Sequence, residues 1–162
     1  MDSNIFSLSA IPDWVVKREV TQADTSLESP FHFPLVDYQE LILKGEINSY
    51  SHTYECINDE SRIENSSLKL VEIHQGSQSL LIHEISIIRN GTKIDALDEE
   101  NISVIQRERS LESHITDNRL TISVTIDDLR VGDHVEYIST IIERKSEHPF
   151  HGRHFHSNYG LS

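Results

Sequence analysis

The sequence has 162 residues, which is about one domain's worth of chain, because single domains usually contain roughly 100–200 residues. Its 14 basic and 27 acidic residues give a net charge of −13, which argues against nucleic acid or an anionic membrane as the main partner. The single cysteine excludes an internal disulfide and any zinc site built from cysteines.

The residue mix favours β structure. The chain contains 20 isoleucines but only three alanines. β-Branched side chains lose rotamer freedom in a helix and pack well on a pleated sheet, whereas alanine is the strongest helix former. The composition therefore predicts an all-β protein.

Residues 1–36 are expected to form an irregular entry segment that packs on the domain. Residues 1–11 lack the positively charged start of a signal peptide, and no apolar run approaches the roughly 20 residues that span a bilayer, so we expect a cytoplasmic location. Residues 13–16 fit either one helical turn or a short strand. Residues 21–34 are polar and then punctuated by prolines, which predicts a loop over the core.

The strand pattern begins at residue 37. Residues 37–43 and 47–57 predict two strands joined by a turn at residues 44–46. Residues 58–65 are polar and predict a loop, and residues 68–73 predict a third strand. In the second strand, alternation places one set of side chains on a common face; this set is Tyr50, His52, Tyr54 and Cys56.

The middle of the chain predicts a hairpin over residues 80–94. Its turn is Asn90-Gly91, a pair that supplies the two positive φ angles of a type I′ turn. Residues 102–108 predict a further strand. Residues 107–114 are ambiguous, because charges at helical spacing compete there with the surrounding β pattern.

Two more strands are predicted near the end. Residues 120–126 alternate apolar and small polar side chains, and residues 135–143 form the last apolar stretch. In the turn between them, Gly132 is expected to allow a positive φ and Asp133 to cap the backbone. Successive hairpins of this kind are typical of two stacked antiparallel sheets.

The order of these signals resembles a bacterial family of unknown function. Members of that family form the N-terminal domain before transglutaminase-like (cysteine-peptidase-like) domains. The motifs that carry the likeness are Pro12-Asp13-Trp14-Val15, Tyr54 with Asn58, GSQSLLIHEI at 76–85, IIRNG at 87–91, QRE at 106–108 with Leu111-Glu112, LRVGDHVEY at 129–137, and His148-Pro149-Phe150 with Gly152.

The resemblance implies an immunoglobulin-like β-sandwich at residues 37–145. It also implies that residues 146–162 are a histidine-rich loop that leads to a downstream transglutaminase-like domain. The catalytic Cys, His and Asp of that domain would lie beyond Ser162. Within the sequence itself we predict no catalytic and no cofactor-binding residue.

Cys56 is the one residue that could serve as a thiolate nucleophile. Activated cysteines usually sit at a helix N-terminus or beside a basic group. Cys56 instead lies in a predicted strand next to Glu55, so a small buried hydrophobic residue is the favoured interpretation. Trp14 and Tyr50 fit either contact aromatics or core residues, and core packing is favoured.

The last fifteen residues contain the only clustered candidate metal ligands. Spacings of two or three residues allow histidines to converge on Zn²⁺ or Ni²⁺ if a loop folds around the ion. The nearby Pro149, Phe150 and Gly152 favour an anchored loop without metal. The four candidate ligands are His148, His151, His154 and His156.

The function that follows from the sequence is a non-catalytic module. We expect it to position or shield the downstream domain or to bind a protein or peptide partner, without nucleic acid, membrane or cofactor. The alternative is a metal-binding or metal-regulated module that uses the C-terminal histidines. A carbohydrate-binding sandwich is less favoured, because the sequence predicts few exposed aromatic residues for stacking on a sugar. Hydrolase activity in this part of the chain is also less favoured, because the sequence shows no nucleophile–base set.

Overall fold

Two β-sheets stack on each other in the computed structural model of the chain, which describes residues 5–20, 29–106, 118–145 and 154–158. The large sheet has the strand order β1-β5-β9-β3-β2-β10, with β6 added beside β5, and the small sheet has the order β4-β8-β7. The strands are β1 (Phe6–Leu8), β2 (Phe31–Leu43), β3 (Glu46–Ile57), β4 (Leu68–His74), β5 (Gln78–Arg89), β6 (Thr92–Asp95), β7 (Ile102–Gln106), β8 (Arg119–Thr125), β9 (His134–Arg144) and β10 (His154–Asn158). The predicted all-β, two-sheet architecture is confirmed.

The hydrophobic core lies between the two sheets. Residues directly opposite each other in antiparallel strands share a face, and the register places Val135 beside Ile87 on β5 and beside Glu55 on β3. The alternating residues of β8 fill the space from the other side, as their pattern predicts. The buried apolar residues of this core are Ile57, Ile73, Leu80, Ile82, Ile85, Ile87, Leu120, Ile122, Val124, Ile126, Leu129, Val135 and Tyr137.

An irregularity in β5 lets this strand contribute more to the core than strict alternation allows. The pairing of β5 with β9 shifts between Ile82 and Glu84. An extra residue in one strand reverses the side on which all later residues point. As a result, both Ile82 and Ile85 are buried in the core, while His83 lies on the opposite face. We call the core side of the large sheet its inner face and the other side its outer face.

The prediction of a loop at residues 58–65 is wrong, because the helix α1 (Glu60–Ser66) occupies most of it. The Asp59 side chain caps the helix by accepting a hydrogen bond from the Ser61 N–H at 2.9 Å. Ile63 packs against the core. This polar segment thus forms a helix that the Asp59 cap and the packing of Ile63 stabilise.

The two ends of the chain add more to the large sheet than the sequence predicts. β1 pairs with β5 in parallel, the exception to the expected antiparallel pattern, and β2 already begins at Phe31. Part of the segment predicted as a histidine-rich loop forms β10, which pairs with β2. Residues 13–16 form neither a helix nor a strand but a turn, in which the Val15 N–H donates to the Pro12 carbonyl at 3.1 Å. The ambiguous residues 107–114 lie outside the described residues.

Within these described ranges, no helix has the length and hydrophobicity needed to cross a bilayer.

Candidate functional site

Cys56 is sealed inside the large sheet. Its exposed fraction is 1%, and burial, together with the charge of Glu55, raises the pKa of the thiol to about 11. The strand register places His32 and His134 directly beside it on the neighbouring strands. Burial, followed by the charge of His32, lowers the pKa of His134, whose Nδ1 lies 2.9 Å from the Tyr54 hydroxyl. A neutral, inaccessible thiol cannot act as a nucleophile, so the interpretation of Cys56 as a buried hydrophobic residue fits the structure.

The predicted histidine cluster is only partly within the described residues. His148 and His151 lie outside them, whereas His154 and His156 lie on β10, opposite Leu41 and Gln39 of β2. Among residues 5–20, 29–106, 118–145 and 154–158, no group of three or more His, Cys, Asp or Glu is arranged to hold a metal ion. The metal site therefore stays a prediction.

The turn residues singled out in the sequence surround an arginine–aspartate cluster. Asn90 and Gly91 have φ angles of 50° and 75°, and Gly132 has a φ of 91°. Asp133 accepts a hydrogen bond from the Arg130 N–H at 2.8 Å and two from the Arg89 guanidinium, at 2.7 and 2.8 Å. Burial raises the pKa of Asp133, but the Arg89 and Arg130 hydrogen bonds outweigh this effect and lower it. These contacts hold two hairpin ends together.

The acidic cleft beside this cluster offers no acid–base pair. It has a volume of about 370 Å³, and Asp95, Asp98, Asp127 and Asp128 are among its lining residues. All four carboxylates have structural partners: Asp95 accepts from the Leu97 N–H at 3.0 Å, Asp98 caps a short 3-10 helix, Asp127 accepts from the Asn101 amide at 3.0 Å, and Asp128 pairs with Arg130 at 2.7 Å. The side chains of Asp127 and Asp128 therefore engage different groups.

Glu55 is a buried carboxylate on the inner face, which sequence reasoning missed. It accepts hydrogen bonds from Arg62 at 2.6 Å, Ser66 at 2.7 Å and Lys69 at 3.2 Å. Burial raises the pKa of Glu55, but the Ser66 hydrogen bond and the two cations outweigh burial and lower it. The Arg62 guanidinium also lies 4.0 Å above the Phe31 ring. The cluster ties α1 and β4 to β3 and leaves no free group for chemistry.

The outer face of the large sheet carries a second ionic cluster, at its centre. His52 Nε2 lies 2.8 Å from Glu136 Oε1, and Lys93 Nζ lies 2.9 Å from Glu136 Oε2 and also contacts Glu84. The hydrogen bond to His52, opposed by burial and reinforced by Lys93, lowers the pKa of Glu136 to about 2. These residues are far apart in sequence and become neighbours only through strand pairing.

His83, placed on the outer face by the irregularity in β5, joins this face to the N-terminal segment. Its Nε2 lies 2.7 Å from the Thr140 hydroxyl and its Nδ1 lies 3.0 Å from the Ser9 carbonyl. Burial lowers the pKa of His83, although hydrogen bonds with the Ser9 and Ala10 backbone oppose the shift. Thr140 is fully buried, so this threonine–histidine pair has no access to a substrate.

The N-terminal segment crosses the outer face, and we call residues 5–16 the strap. At β5, the Leu80 N–H donates to the Ile5 carbonyl at 2.9 Å, and the Ser9 N–H donates to the Ile82 carbonyl at 3.1 Å. At β2, the side-chain amide of Gln39 makes two hydrogen bonds with the backbone of Val16. The strap therefore reaches from one side of the large sheet to the other.

An apolar contact holds the strap between its two ends. Val15 and Trp14 pack against Tyr50 and Ile138, and the Trp14 ring meets the Tyr50 ring edge-on at 6.3 Å between centroids. Burial, followed by the charges of Asp37, Glu136 and Glu84, raises the pKa of Tyr50. Tyr50 is thus a buried packing residue, as favoured from the sequence, and the partly buried Trp14 packs against it in a cluster separate from the main core.

Comparisons with known proteins agree with this fold. A family model described as a Domain of Unknown Function with a solved structure (DUF3857) matches residues 45–161. A crystal structure of a protein from Parabacteroides distasonis, described as a putative protease, is similar to this chain with a TM-score of 0.56 and 13% identity, over 65% of this chain and 21% of that one. At this identity the likeness concerns the fold, and the chain spans about a fifth of the length of that relative. A search of curated proteins found no match.

Proposed function

This chain belongs to the DUF3857 family, and from that premise we propose that it is a non-catalytic, immunoglobulin-like β-sandwich module of a longer bacterial protein. In this proposal the module precedes a transglutaminase-like domain and holds or shields it. The observation that carries the proposal is that the region similar to this chain makes up only 21% of its structural relative, which is therefore a much longer protein.

The chemistry of the described residues supports a non-catalytic role. Among the described residues beside imidazoles, Cys56 and Thr140 are buried. The hydroxyl of the half-buried Ser9 lies 3.1 Å from His83 Nδ1, but the Ser9 carbonyl occupies the same nitrogen at 3.0 Å. The thiol of Cys56 has its pKa raised to about 11, so its thiolate is scarce at neutral pH. We therefore assign bond chemistry to the adjoining domain and packing to this one.

The outward side of the small sheet is a suitable surface for that packing. Leu68 and Leu70 on β4 and Ile105 on β7 are exposed, and the exposed fraction of Leu70 is 51%. Thr121 and Ser123 of the central strand β8 lie between β4 and β7, opposite Ile105 and Leu70, and are themselves buried. Exposed apolar residues that share one surface mark a site of contact with another domain or protein.

The test compares this chain with the longer polypeptide encoded by its gene. We expect the chain alone to show no amide hydrolysis or acyl transfer, and the longer polypeptide to show one of these activities. Leu70→Lys should lower the melting temperature of the longer polypeptide by several degrees while leaving the chain alone unaffected, because a charge would be buried only in the assembled protein.

Val131→Lys is the matched control, because Val131 is also exposed but lies in the turn between β8 and β9, outside the strands of the small sheet. Equal effects of the two substitutions on the longer polypeptide would contradict the assigned surface. A gene without a downstream cysteine-peptidase-like domain would contradict the proposed role itself.

A further inference from the structure

We propose that the outer face of the large sheet is a recognition groove for an extended peptide, and that the strap is its resident ligand. The partner would be a peptide segment of another protein that presents free backbone groups and an aromatic–aliphatic pair of side chains. This inference concerns a different surface from the small-sheet patch and does not depend on the adjoining catalytic domain.

The first argument is that the groove binds backbone atoms. The Val16 N–H donates to Gln39 Oε1 at 2.9 Å, and Gln39 Nε2 donates to the Val16 carbonyl at 2.7 Å. Every residue except proline carries this backbone donor and acceptor pair, so the Gln39 contact would accept many sequences. At the other end, His83 Nδ1 contacts the Ser9 carbonyl at 3.0 Å and the Ser9 hydroxyl at 3.1 Å.

The second argument is that the amide of Gln39 is held in place for this contact. Asp37 Oδ2 accepts from Gln39 Nε2 at 2.7 Å, and both side chains have an exposed fraction of 1%. The carboxylate of Asp37 fixes which end of the amide donates. The buried pair of Asp37 and Gln39 therefore sets the orientation of the backbone that binds there. Apolar contacts alone would not set this orientation.

The third argument concerns side-chain preference. Tyr50 and Ile138 form an apolar pocket that accepts Trp14 and Val15 of the strap. In extended-peptide recognition, backbone hydrogen bonds supply affinity and such pockets supply specificity. The net charge of −13 favours a partner that is neutral or basic around this pair, and in this chain Lys17 and Arg18 follow the pair while Asp13 precedes it.

The experiment uses the full chain with a recognition sequence for a specific protease placed at residues 21–28. After cleavage, the N-terminal fragment should remain bound, as seen by co-elution in gel filtration and by the fluorescence of Trp14, the single tryptophan. A fluorescein-labelled peptide of residues 5–18 should then replace the fragment within hours, measured by fluorescence anisotropy.

Backbone specificity supplies the decisive comparison. N-methylation of the peptide at Val16 removes the N–H donor and should weaken binding about tenfold, the effect of losing one hydrogen bond. Gln39→Ala in the protein should have a similar or larger effect. N-methylation at the exposed Lys17 is the control and should change binding by less than about twofold.

Several results would overturn the proposal. Immediate loss of the fragment at micromolar concentration would show that the groove has no affinity for a separate peptide. Unfolding of the cleaved protein, or retention of the fragment against a large excess of peptide for days, would make the strap a permanent part of the fold. If the uncut chain forms a dimer and Gln39→Ala abolishes it, the groove binds the strap of a second copy of this chain and not a peptide of another protein.

Discussion

The inner and outer faces of the large sheet both carry buried side chains, but these side chains differ in chemistry. The inner face presents Leu80, Ile82, Ile85 and Ile87 of β5 to the small sheet, and most of its buried side chains are apolar. The outer face buries Asp37, Gln39, His52 and Thr140, and the strap crosses it. Apolar burial is non-directional and gives stability, whereas paired polar groups have a required geometry and also give specificity. The same strands therefore stabilise the fold on one face and can recognise a backbone on the other.

The largest expected effect comes from a cavity on the inner face. Ile85→Ala removes side-chain atoms from a fully buried site and should lower the free energy of unfolding by about 2–5 kcal/mol. Chemical denaturation at pH 7 measures the change. Ile94→Ala, at an exposed site on β6, is the control and should cost well under about 1 kcal/mol. Equal losses would remove the distinction between core and surface.

The next effect is electrostatic and lies on the outer face. The pKa of Glu136 is lowered from 4.5 to about 2, and each unit corresponds to about 1.4 kcal/mol. The ionised carboxylate therefore contributes on the order of 3 kcal/mol above pH 4.5, and this contribution is lost as the pH falls towards 2. Glu136→Gln should be destabilising at pH 7, and its difference from the unmodified chain should shrink between pH 4.5 and 2.

Denaturation curves at several pH values test this expectation, with Glu72→Gln as the control at an exposed position. A difference that stays constant down to pH 2 would show that the carboxylate of Glu136 gains nothing from His52 and Lys93.

A polar exception on the inner face sharpens the comparison. Ser66→Ala removes the hydrogen bond of 2.7 Å to the buried carboxylate of Glu55 and should cost about 1–3 kcal/mol. The same substitution at Ser103, exposed on β7, should be nearly neutral. If both variants unfold at the same denaturant concentration, Arg62 and Lys69 alone satisfy Glu55.

The smallest effect on global stability is expected at the strap. Gln39→Ala should release the Val16 backbone and speed hydrogen exchange at the Val16 amide about tenfold, while amides of the core strands keep their protection. Gln106→Ala, at an exposed position of β7, serves as the control. Faster exchange throughout the core strands would mean that the strap and the core open as one unit.

Much of the strand pattern could be predicted from local signals. The alternation at residues 120–126 predicted β8, and the apolar run before Asn90 predicted β5. The helix α1 was missed because a seven-residue helix in a polar segment has too few apolar positions for a periodic signal. The strand β1 was missed because three residues acquire strand geometry only by pairing with β5.

The candidate site could not be predicted in the same way. Sequence reasoning placed His52 and Cys56 on a common face of one strand, yet it did not find Glu136, His83 or Gln39 as functional candidates. The partners of these residues come from other strands, for example Glu136 for His52 across 84 positions and Ser9 for His83 across 74. Their spacing in the chain carries no information about contact.

The sequence by itself determined the class of the protein and the positions of its main strands and turns, because propensity and side-chain alternation are local properties. The tertiary structure alone decided which side chains meet. One irregularity between Ile82 and Glu84 sets the face on which His83 lies, and the register sets the neighbours of Cys56. Register and sheet order depend on how the whole chain closes its core, and no short segment of sequence encodes that result.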